Sequence, residues 1–505
     1  MLKRLILGAV LALTAIGGAV AQSPPRPNVI VILADDLGLP DLSTYGGPRS
    51  VPTPNIDRLA ARGVRFTRAY AAAPVCSPSR AALLSGRYPQ RHGFEFLIPE
   101  GPDAGNEGLA PDQRLFSERL AADGYRTAAI GKWHLGSTPD RLPTARGFDR
   151  FFGFLAGETA YIDADVPGVI SRAIPYLGER SFRRVRDWVQ VGRLQPGDET
   201  LEILDNDDRY LTDVLTDEAV SFIGESQSTD PYFLYLAYSA PHSPFQTTEA
   251  YEARFAHIDD PLQRTYAAMI SALDDGVGRV LDAVERSGQA ENTLIVVTSD
   301  NGAATYLGIS DCETLSGGKL SNFEGGSRVP FIASWPAHWP QGISEHRNIS
   351  QMDIAATALA AAGLEPALPL DGVDLTSALQ PGAENEAVHE TLFWRTGQES
   401  AVLAGDWKLI QNSRPGAVPW LFNLADDPTE SRLQTFARRD VVADLRGRYA
   451  AWEAQMQAPA WPSKGTVQVF QCGRNSFQDQ SGQPRRCCFL FPNEPLSFAT
   501  GSGAS

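Results

Sequence analysis

Apolar runs recur along the first three-quarters of the chain and alternate with stretches of helical period. Asn28–Leu33 (NVIVIL) has no polar face, which suits a strand buried on both sides. Helix signals follow at Ile56–Arg62. Arg126–Ile130, Tyr232–Tyr238 and Thr293–Thr298 repeat the strand pattern, and Leu262–Ser287, with Gly276 inside it, reads as a helix between the last two. Such alternation predicts an α/β unit, a mixed and mostly parallel sheet covered by helices on both faces. Residues 156–210 break the pattern. Irregular and mixed in charge, they read as an insertion, the kind of segment that faces substrate.

The pattern changes again around Pro369–Glu390, where Pro381-Gly382 and an acidic run suggest a boundary. Beyond it, Thr391–Trp394, Ser400–Ala404, Trp407–Ile410 and Trp420–Asn423 are short strands joined by tight turns, and Arg438–Gln457 is a helix. That predicts a small α+β unit, an antiparallel sheet with one helix. The expected division is therefore 22–385 for the large unit, 386–458 for the small one, and 459–505 for a cysteine-containing tail packed on both.

Residues 1–21 stand apart. Lys3 and Arg4 precede the apolar run Leu5–Leu13, and Ala19-Val20-Ala21 offers a small-residue cleavage site, so this segment reads as a secretory signal peptide. The expected destination is the periplasm or the exterior. No later stretch is long and apolar enough to span a bilayer. Losing Lys3 and Arg4 takes the net charge from −16 to −18, a surface that argues against nucleic-acid binding. Five cysteines in an exported chain invite disulfides. With Cys76 set aside, one bridge is expected within the tail (Cys472, Cys487, Cys488) and one from the tail to Cys312; free buried thiols are the alternative.

Four predicted strands run directly into reactive side chains, at the edge where parallel sheets bind ligands. NVIVIL ends in Ala34-Asp35-Asp36, and TLIVVT in Ser299-Asp300-Asn301-Gly302. The strand ending at Ile130 leads to Gly131-Lys132-Trp133-His134, and YFLYLAY to Ser239-Ala240-Pro241-His242. One Asp-Asp pair alone would suit a turn or a helix cap. Three carboxylates and an amide gathered at one edge repel one another unless a cation sits between them. An all-oxygen set suits Ca²⁺ or Mg²⁺ and poorly suits zinc. A lone lysine is usually solvated and a lone histidine often structural, yet two of only seven histidines fall at these ends. Lys132 and His134, two apart, would point to one side of an extended segment. Lys319, in Gly317-Gly318-Lys319, and Arg80 add two further cations.

The last constellation is Ala73-Pro-Val-Cys-Ser-Pro-Ser-Arg-Ala-Ala-Leu-Leu-Ser-Gly86. Ser77 can cap a helix, Pro78 suits its first turn and Gly86 its stop, which leaves Cys76 at the positive end facing an anion. The plain alternative is a buried cysteine beside a capped helix. A metal and several cations around a nucleophile make a site for a tetrahedral oxyanion ester.

These residues resemble the type I sulfatases. Cys76-Ser-Pro-Ser-Arg80 matches that family's Cys-x-Pro-Ser-Arg signature, extended by Leu84-Ser85-Gly86-Arg87 and Arg91-His92-Gly93. Ala34-Asp35-Asp36-Leu37-Gly38, Gly131-Lys132-Trp133-His134-Leu135-Gly136, Ala240-Pro241-His242-Ser243-Pro244 and Thr298-Ser299-Asp300-Asn301-Gly302 follow in the expected order. Gly317-Gly318-Lys319 with Phe323-Glu324-Gly325-Gly326 completes a match over roughly 27–430. The resemblance implies an alkaline-phosphatase-like fold, oxidation of Cys76 to formylglycine by a formylglycine-generating enzyme, and one calcium ion at Asp35, Asp36, Asp300, Asn301 and the modified Cys76. It further implies that one hydroxyl of the hydrated aldehyde attacks sulfur. His242 and Lys319 would serve the leaving oxygen, Lys132 the sulfonyl oxygens, His134 the second hydroxyl, and Arg80 the orientation of the diol.

The reading is an exported hydrolase of sulfate esters, acting on a sulfated carbohydrate such as a glycosaminoglycan or marine polysaccharide, with small aryl sulfates as artificial substrates. Alternatives are a phosphonate monoester or phosphodiester hydrolase of the same superfamily, a thiolate enzyme using Cys76 itself, and a non-enzymatic binder of sulfated glycans. Glu95 and Phe96 are expected at the pocket mouth. Mass spectrometry of the tryptic peptide Ala69–Arg80 should find an aldehyde in place of the thiol; an unmodified thiol in fully active protein would overturn that expectation.

Overall fold

The computed structural model describes residues 26–98, 107–173, 191–204, 208–225, 230–311 and 313–462, together with short backbone segments of the tail. Ten strands form the large sheet. Across it run Ile343–Glu345, Val64–Phe66, Phe331–Ser334, Thr293–Ser299, Asn28–Ala34, Tyr232–Ala237, Arg126–Lys132, Arg150–Phe154, Gly192–Leu194 and Glu202–Ile203. The five strands from Thr293–Ser299 to Arg150–Phe154 are mutually parallel, and antiparallel pairings flank them on both sides.

Both faces of the parallel strands are buried, which is why they read as unbroken apolar runs. Ile30, Ile32, Leu234, Leu236 and Val297 face one core, with Leu215, Phe222, Leu273 and Val277 of the helices Leu211–Gly224 and Pro261–Arg286. Val29, Val31, Leu33, Phe233 and Tyr235 face the other, with Leu83 and Leu84 of the helix Cys76–Ser85 and with Ile354 and Ala358 of Asp353–Ala361. Asp260 caps the long helix, its carboxylate accepting from Leu262 N and Gln263 N. Gly276 lets that helix lie close to Tyr238, whose hydroxyl would stand 2.7 Å from a Cβ there.

Two sequence readings change. The described part of 156–210 is not simply an irregular insertion. Gly192–Leu194 and Glu202–Ile203 extend the main sheet, and Val169–Arg172 pairs with Phe245–Thr248. Strands of two to four residues carry too short an alternation to be seen in sequence. Ser77 does not cap the helix Cys76–Ser85: Val75 stands at the N-cap without a side-chain bond, while Gly86 closes the helix at φ 67° as expected.

The C-terminal unit is a four-stranded antiparallel sheet, Leu392–Thr396, Glu399–Ala404, Trp407–Asn412 and Trp420–Asn423, plus the helix Arg439–Glu453. One face packs Val402, Leu409 and Leu421 on that helix. The other packs Leu403, Ile410 and Phe422 on Tyr70 and Phe323 of the large unit. At its far side, Ala460 N bonds Gly93 O and Trp461 packs edge-on to Phe94. The expected disulfides fall on Cys312, Cys472, Cys487 and Cys488, all outside the described residues.

His389 ties the start of this unit to the large one by its 2.8 Å contact with Asp353, whose carboxylate also accepts from Ser350 N and Val373 N. Burial opposes the charged imidazole, but Asp353 outweighs it and raises His389 above its ordinary 6.5. A raised histidine adds stability below its unfolded pKa and loses it as pH rises through the folded one. His389→Gln should therefore flatten the fall in unfolding free energy on going up from about pH 6.5, measured by urea denaturation across pH.

Candidate active site

The register of the parallel strands aligns their C-terminal ends. Ala34 pairs with Ser299, Leu33 with Ala237, and Ala237 with Gly131. The residues that follow therefore meet at one edge. Asp35 N bonds Ala240 O, and Asp300 N bonds Ala34 O. Two of the site residues leave their strands in the left-handed region, Asp36 at φ 62° and His134 at φ 57°. Such backbone costs on the order of 1–3 kcal/mol per residue and persists only where its surroundings enforce it. Asp36 N is held by Asp300 Oδ1 at 3.2 Å, and His134 N by Leu155 O at 3.1 Å. His134 thus reaches the site through a left-handed kink, not through the extended alternation expected from sequence.

Each carboxylate meets a cation. Lys132 Nζ donates to Asp35 Oδ2 at 2.5 Å, Lys319 Nζ to Asp36 Oδ2 at 2.8 Å, and Arg80 Nε to Asp300 Oδ2 at 2.8 Å. Arg80 also donates to Lys132 O. Asn301 Nδ2 donates to Asp36 Oδ1 at 2.7 Å, His242 Nε2 lies 3.6 Å from Asp36 Oδ2, and Cys76 Sγ lies 3.6 Å from Asp35 Oδ1. The structure so brings Asp35, Asp36, Cys76, Arg80, Lys132, His134, His242, Asp300, Asn301 and Lys319 to one place. All but the partly buried His242 are shielded from solvent.

The electrostatics follow from that burial. It pushes Asp35 up, but Lys132, His242 and Arg80 overcome it and hold the carboxyl below its usual range. Asp36 is likewise held down against burial by Lys319 and His242. For Asp300, burial and the neighbouring Asp35 prevail over Arg80 and raise it. Burial raises the Cys76 thiol to about 12 despite Lys132 and Lys319, which disfavours a thiolate nucleophile. Burial, with Lys132 and Arg80, presses His134 well below the usual imidazole range, so its ring is neutral.

A hard cation fits these residues. Asn301 Oδ1 is buried and without a hydrogen-bond partner, although its own amide nitrogen is engaged. Ligand atoms of Asp35, Asp36, Cys76 and His242 lie within 4.8 Å of one another. The three cations already offset the three carboxylates, so an added divalent ion leaves a positive surplus that suits an anionic ester.

Sequence reasoning missed several supports. Ser77, expected as a cap, instead places Oγ 3.0 Å from His134 Nε2. Gln351 accepts from Ser79 Oγ and donates to Thr298 Oγ1 and Ser299 O, locking the Cys76 helix to the Thr293 strand. Tyr161 donates to His242 O. Gln351 and Tyr161 lie in no patterned motif, and for Ser77, which sits inside the Cys76 motif, only spatial proximity reveals the partner. Glu95 is not at a pocket mouth: it is buried and paired with Arg395 at 2.8 Å. Phe96 packs on the second core and lies near Gly397. A small pocket opens beside the site, lined by Asp36, His242, Lys319, Phe245, Tyr306 and Leu307 among others.

A sequence model of the sulfatase family matches residues 27–364. The chain belongs to that family. It is 37% identical over 410 residues to the N-acetylgalactosamine-6-sulfatase of Sus scrofa, covering 79% of this chain and 74% of the relative. It is 33% identical over 463 residues to arylsulfatase A of Bos taurus, covering 83% and 85%. Among solved structures, Ps i-CgsB in complex with k-i-k-neocarrahexaose superposes with a TM-score of 0.74 at 34% identity, over 86% of this chain and 94% of that one. The large sheet and the small C-terminal sheet are thus those of a sulfatase, and the enzyme is a sulfuric ester hydrolase. Among the described residues, no helix is long and apolar enough to cross a membrane.

Chelator-treated protein should gain thermal stability when a hard divalent cation is added, by about 2.7 kcal/mol at 100 times the Kd. Asn301→Ala should shrink that gain. Melting temperatures with and without chelator check this, and identical values would overturn the assignment.

Proposed function

We propose that the chain is an exported sulfatase that removes sulfate from a sulfated carbohydrate, with formylglycine at position 76 and calcium held by Asp35, Asp36, Asp300, Asn301 and the modified Cys76. The observation that carries this reading is the gathering of Arg80, Lys132 and Lys319, with His134 and His242, around the N-terminal end of one buried helix. The relatives named as sulfatases and the neighbour bound to an oligosaccharide support the substrate class. Residues 1–21 would direct export to the periplasm or beyond, and a boundary near 386 would separate catalytic and C-terminal units.

The bound cation would supply charge stabilisation at the reacting oxygens. The encoded thiol of Cys76 stands where the hydrated aldehyde would be. One hydroxyl of that diol would pass its proton to the carboxylate of Asp35, whose Oδ1 lies 3.6 Å from Cys76 Sγ, as its oxygen attacks sulfur, forming a new S–O bond while the ester S–O bond breaks on the opposite side. The leaving oxygen takes a proton from His242 or Lys319, which flank the cavity beside Asp36. Lys132 neutralises charge on the sulfonyl oxygens, and Arg80 holds Asp300 and the helix start in place. His134, neutral and hydrogen-bonded near Ser77, then takes the proton of the second hydroxyl. As that oxygen becomes the carbonyl, the C–O bond to sulfate would break, sulfate would leave, and water would rehydrate the restored aldehyde.

Phosphonate or phosphodiester hydrolysis by the same machinery is disfavoured, since the relatives reported above are sulfatases. Formylglycine-bearing protein should release sulfate from one or more defined sulfated oligosaccharides. Cys76→Ala should abolish the release, and Lys319→Ala or His242→Ala should lower kcat by about 10²–10⁴. Ion chromatography of released sulfate measures this. Full activity in Cys76→Ala, or no release from any sulfated sugar or aryl sulfate, would overturn the reading.

A further inference from the structure

Lys319 reaches Asp36 from a loop and not from a strand end, so its position depends on what grips that loop. Part of the grip is local. Lys319 N bonds Ala303 O, Leu320 N bonds Pro74 O beside the Cys76 helix, and Gly325 N bonds Ser316 O. Gly326 packs so closely that a Cβ there would stand 2.1 Å from Ser321 O.

The rest comes from the C-terminal unit, its sheet and the loop that follows the strand Trp420–Asn423, on both sides of the lysine. Before it, Ser316 Oγ donates to Thr429 O at 2.5 Å. After it, Asn322 N and Nδ2 donate to Glu399 Oε1 at 3.1 and 3.0 Å, and Glu324 N donates to Glu430 Oε2 at 2.7 Å. Phe323 stacks on Trp420 at 5.6 Å.

A sealed charge cluster lies at the centre of this contact. Lys408 Nζ is 2.8 Å from Glu324 Oε1 and 3.1 Å from Glu430 Oε1, and all three side chains are 0% exposed. Tyr70 donates to Glu324 Oε2 at 3.0 Å, with Arg328 3.4 Å from the same oxygen and Arg68 contributing its charge from further off. Burial raises Glu430 to about 8 in spite of Lys408, with Glu324 adding to the rise, while Lys408 and Arg328 overcome burial and keep Glu324 ionised. Apolar residues of similar volume could fill such a space at comparable stability. A directional set of charges holds one arrangement of the loop where apolar packing would tolerate several.

We propose that Lys408 and Glu430 are positioning residues: by gripping Glu324 they set where the Lys319 amine stands, so that the C-terminal unit completes the active site. The inference rests on the reading of Lys319 as a group serving the leaving oxygen. A displacement of roughly 1 Å in such a group costs about a hundredfold in rate, and the loss is greatest for esters whose leaving oxygen most needs a proton.

The test uses full-length, formylglycine-bearing, calcium-loaded protein and two substrates, p-nitrophenyl sulfate and a sulfated monosaccharide that the wild type hydrolyses. Lys408→Met and Glu430→Leu are made singly and in combination with Lys319→Ala. Glu430→Leu removes the acceptor for Glu324 N at similar volume and serves should Lys408→Met fail to fold; Glu430→Gln, which keeps that acceptor, is the control and should act nearly as the wild type. On the sugar ester Lys408→Met and Glu430→Leu should each lose about tenfold to a hundredfold in kcat with KM little changed, and lose much less on the nitrophenyl ester. In the Lys319→Ala background each should cost less than about threefold further, because the group being positioned is gone. Equal losses on both esters, additive losses in that background, or full activity would overturn the proposal while leaving the role of Lys319 intact. An undiminished Lys319→Ala would overturn both.

Discussion

Three carboxylates share one buried sheet edge, and this is tolerable only because a cation meets each of them. Asp35, Asp36 and Asp300 would otherwise repel one another and take up protons. Lys132, Lys319 and Arg80 close on them one by one. Those cations come from a strand end, a glycine-rich loop and a helix start, so three remote stretches of chain are committed to one small volume. The helix Cys76–Ser85 shows the consequence. All ten of its residues are buried, although they include an arginine and three serines. Three of its polar side chains find partners around the site: Arg80 in Asp300, Ser79 in Gln351, and Ser77 in His134.

The same neutralisation shapes the backbone. Asp36 and His134 occupy the left-handed region just past their strands, and Leu320 does so beside Lys319 at φ 72°. Bulky residues adopt such geometry where hydrogen bonds and ion pairs around them compensate for it. Chain ends that would otherwise splay from the sheet are turned back over one point. The result is a preorganised field of fixed cations in a water-poor site, where charge developing on an ester is stabilised without rearrangement.

The C-terminal sheet belongs to this arrangement and is more than an appendage. Its outer face buries the helix Arg439–Glu453, while its inner face covers Tyr70 and Phe323 and sends Glu399 and Lys408 toward the loop that carries Lys319, joined by Glu430 from the loop after the last strand. His389 and Arg395 fasten it at two further points, to Asp353 and Glu95. Two kinds of contact meet at this boundary. Apolar packing supplies adhesion, and buried ion pairs supply register.

Much of this was legible in sequence. The apolar runs at Asn28, Arg126, Tyr232 and Thr293 are doubly buried parallel strands, and a strand buried on both faces has no room for polar residues until it ends. The first polar residues after such a run must therefore lie at the ligand-binding edge, which is why Asp35, Asp36, Asp300, Lys132, His134 and His242 could be named from the chain alone. Short strands and lone side chains carry no such periodicity. Gly192–Leu194, Glu202–Ile203, Gln351, Tyr161 and the true partner of Ser77 emerged only from the fold. The misplacement of Glu95 has the same cause, since its partner Arg395 lies 300 residues away. Local pattern determined which elements form and which residues leave them. Which buried charge meets which, and how the small sheet reaches the Lys319 loop, was decided by tertiary structure, because charge pairing across hundreds of residues leaves no local periodic trace.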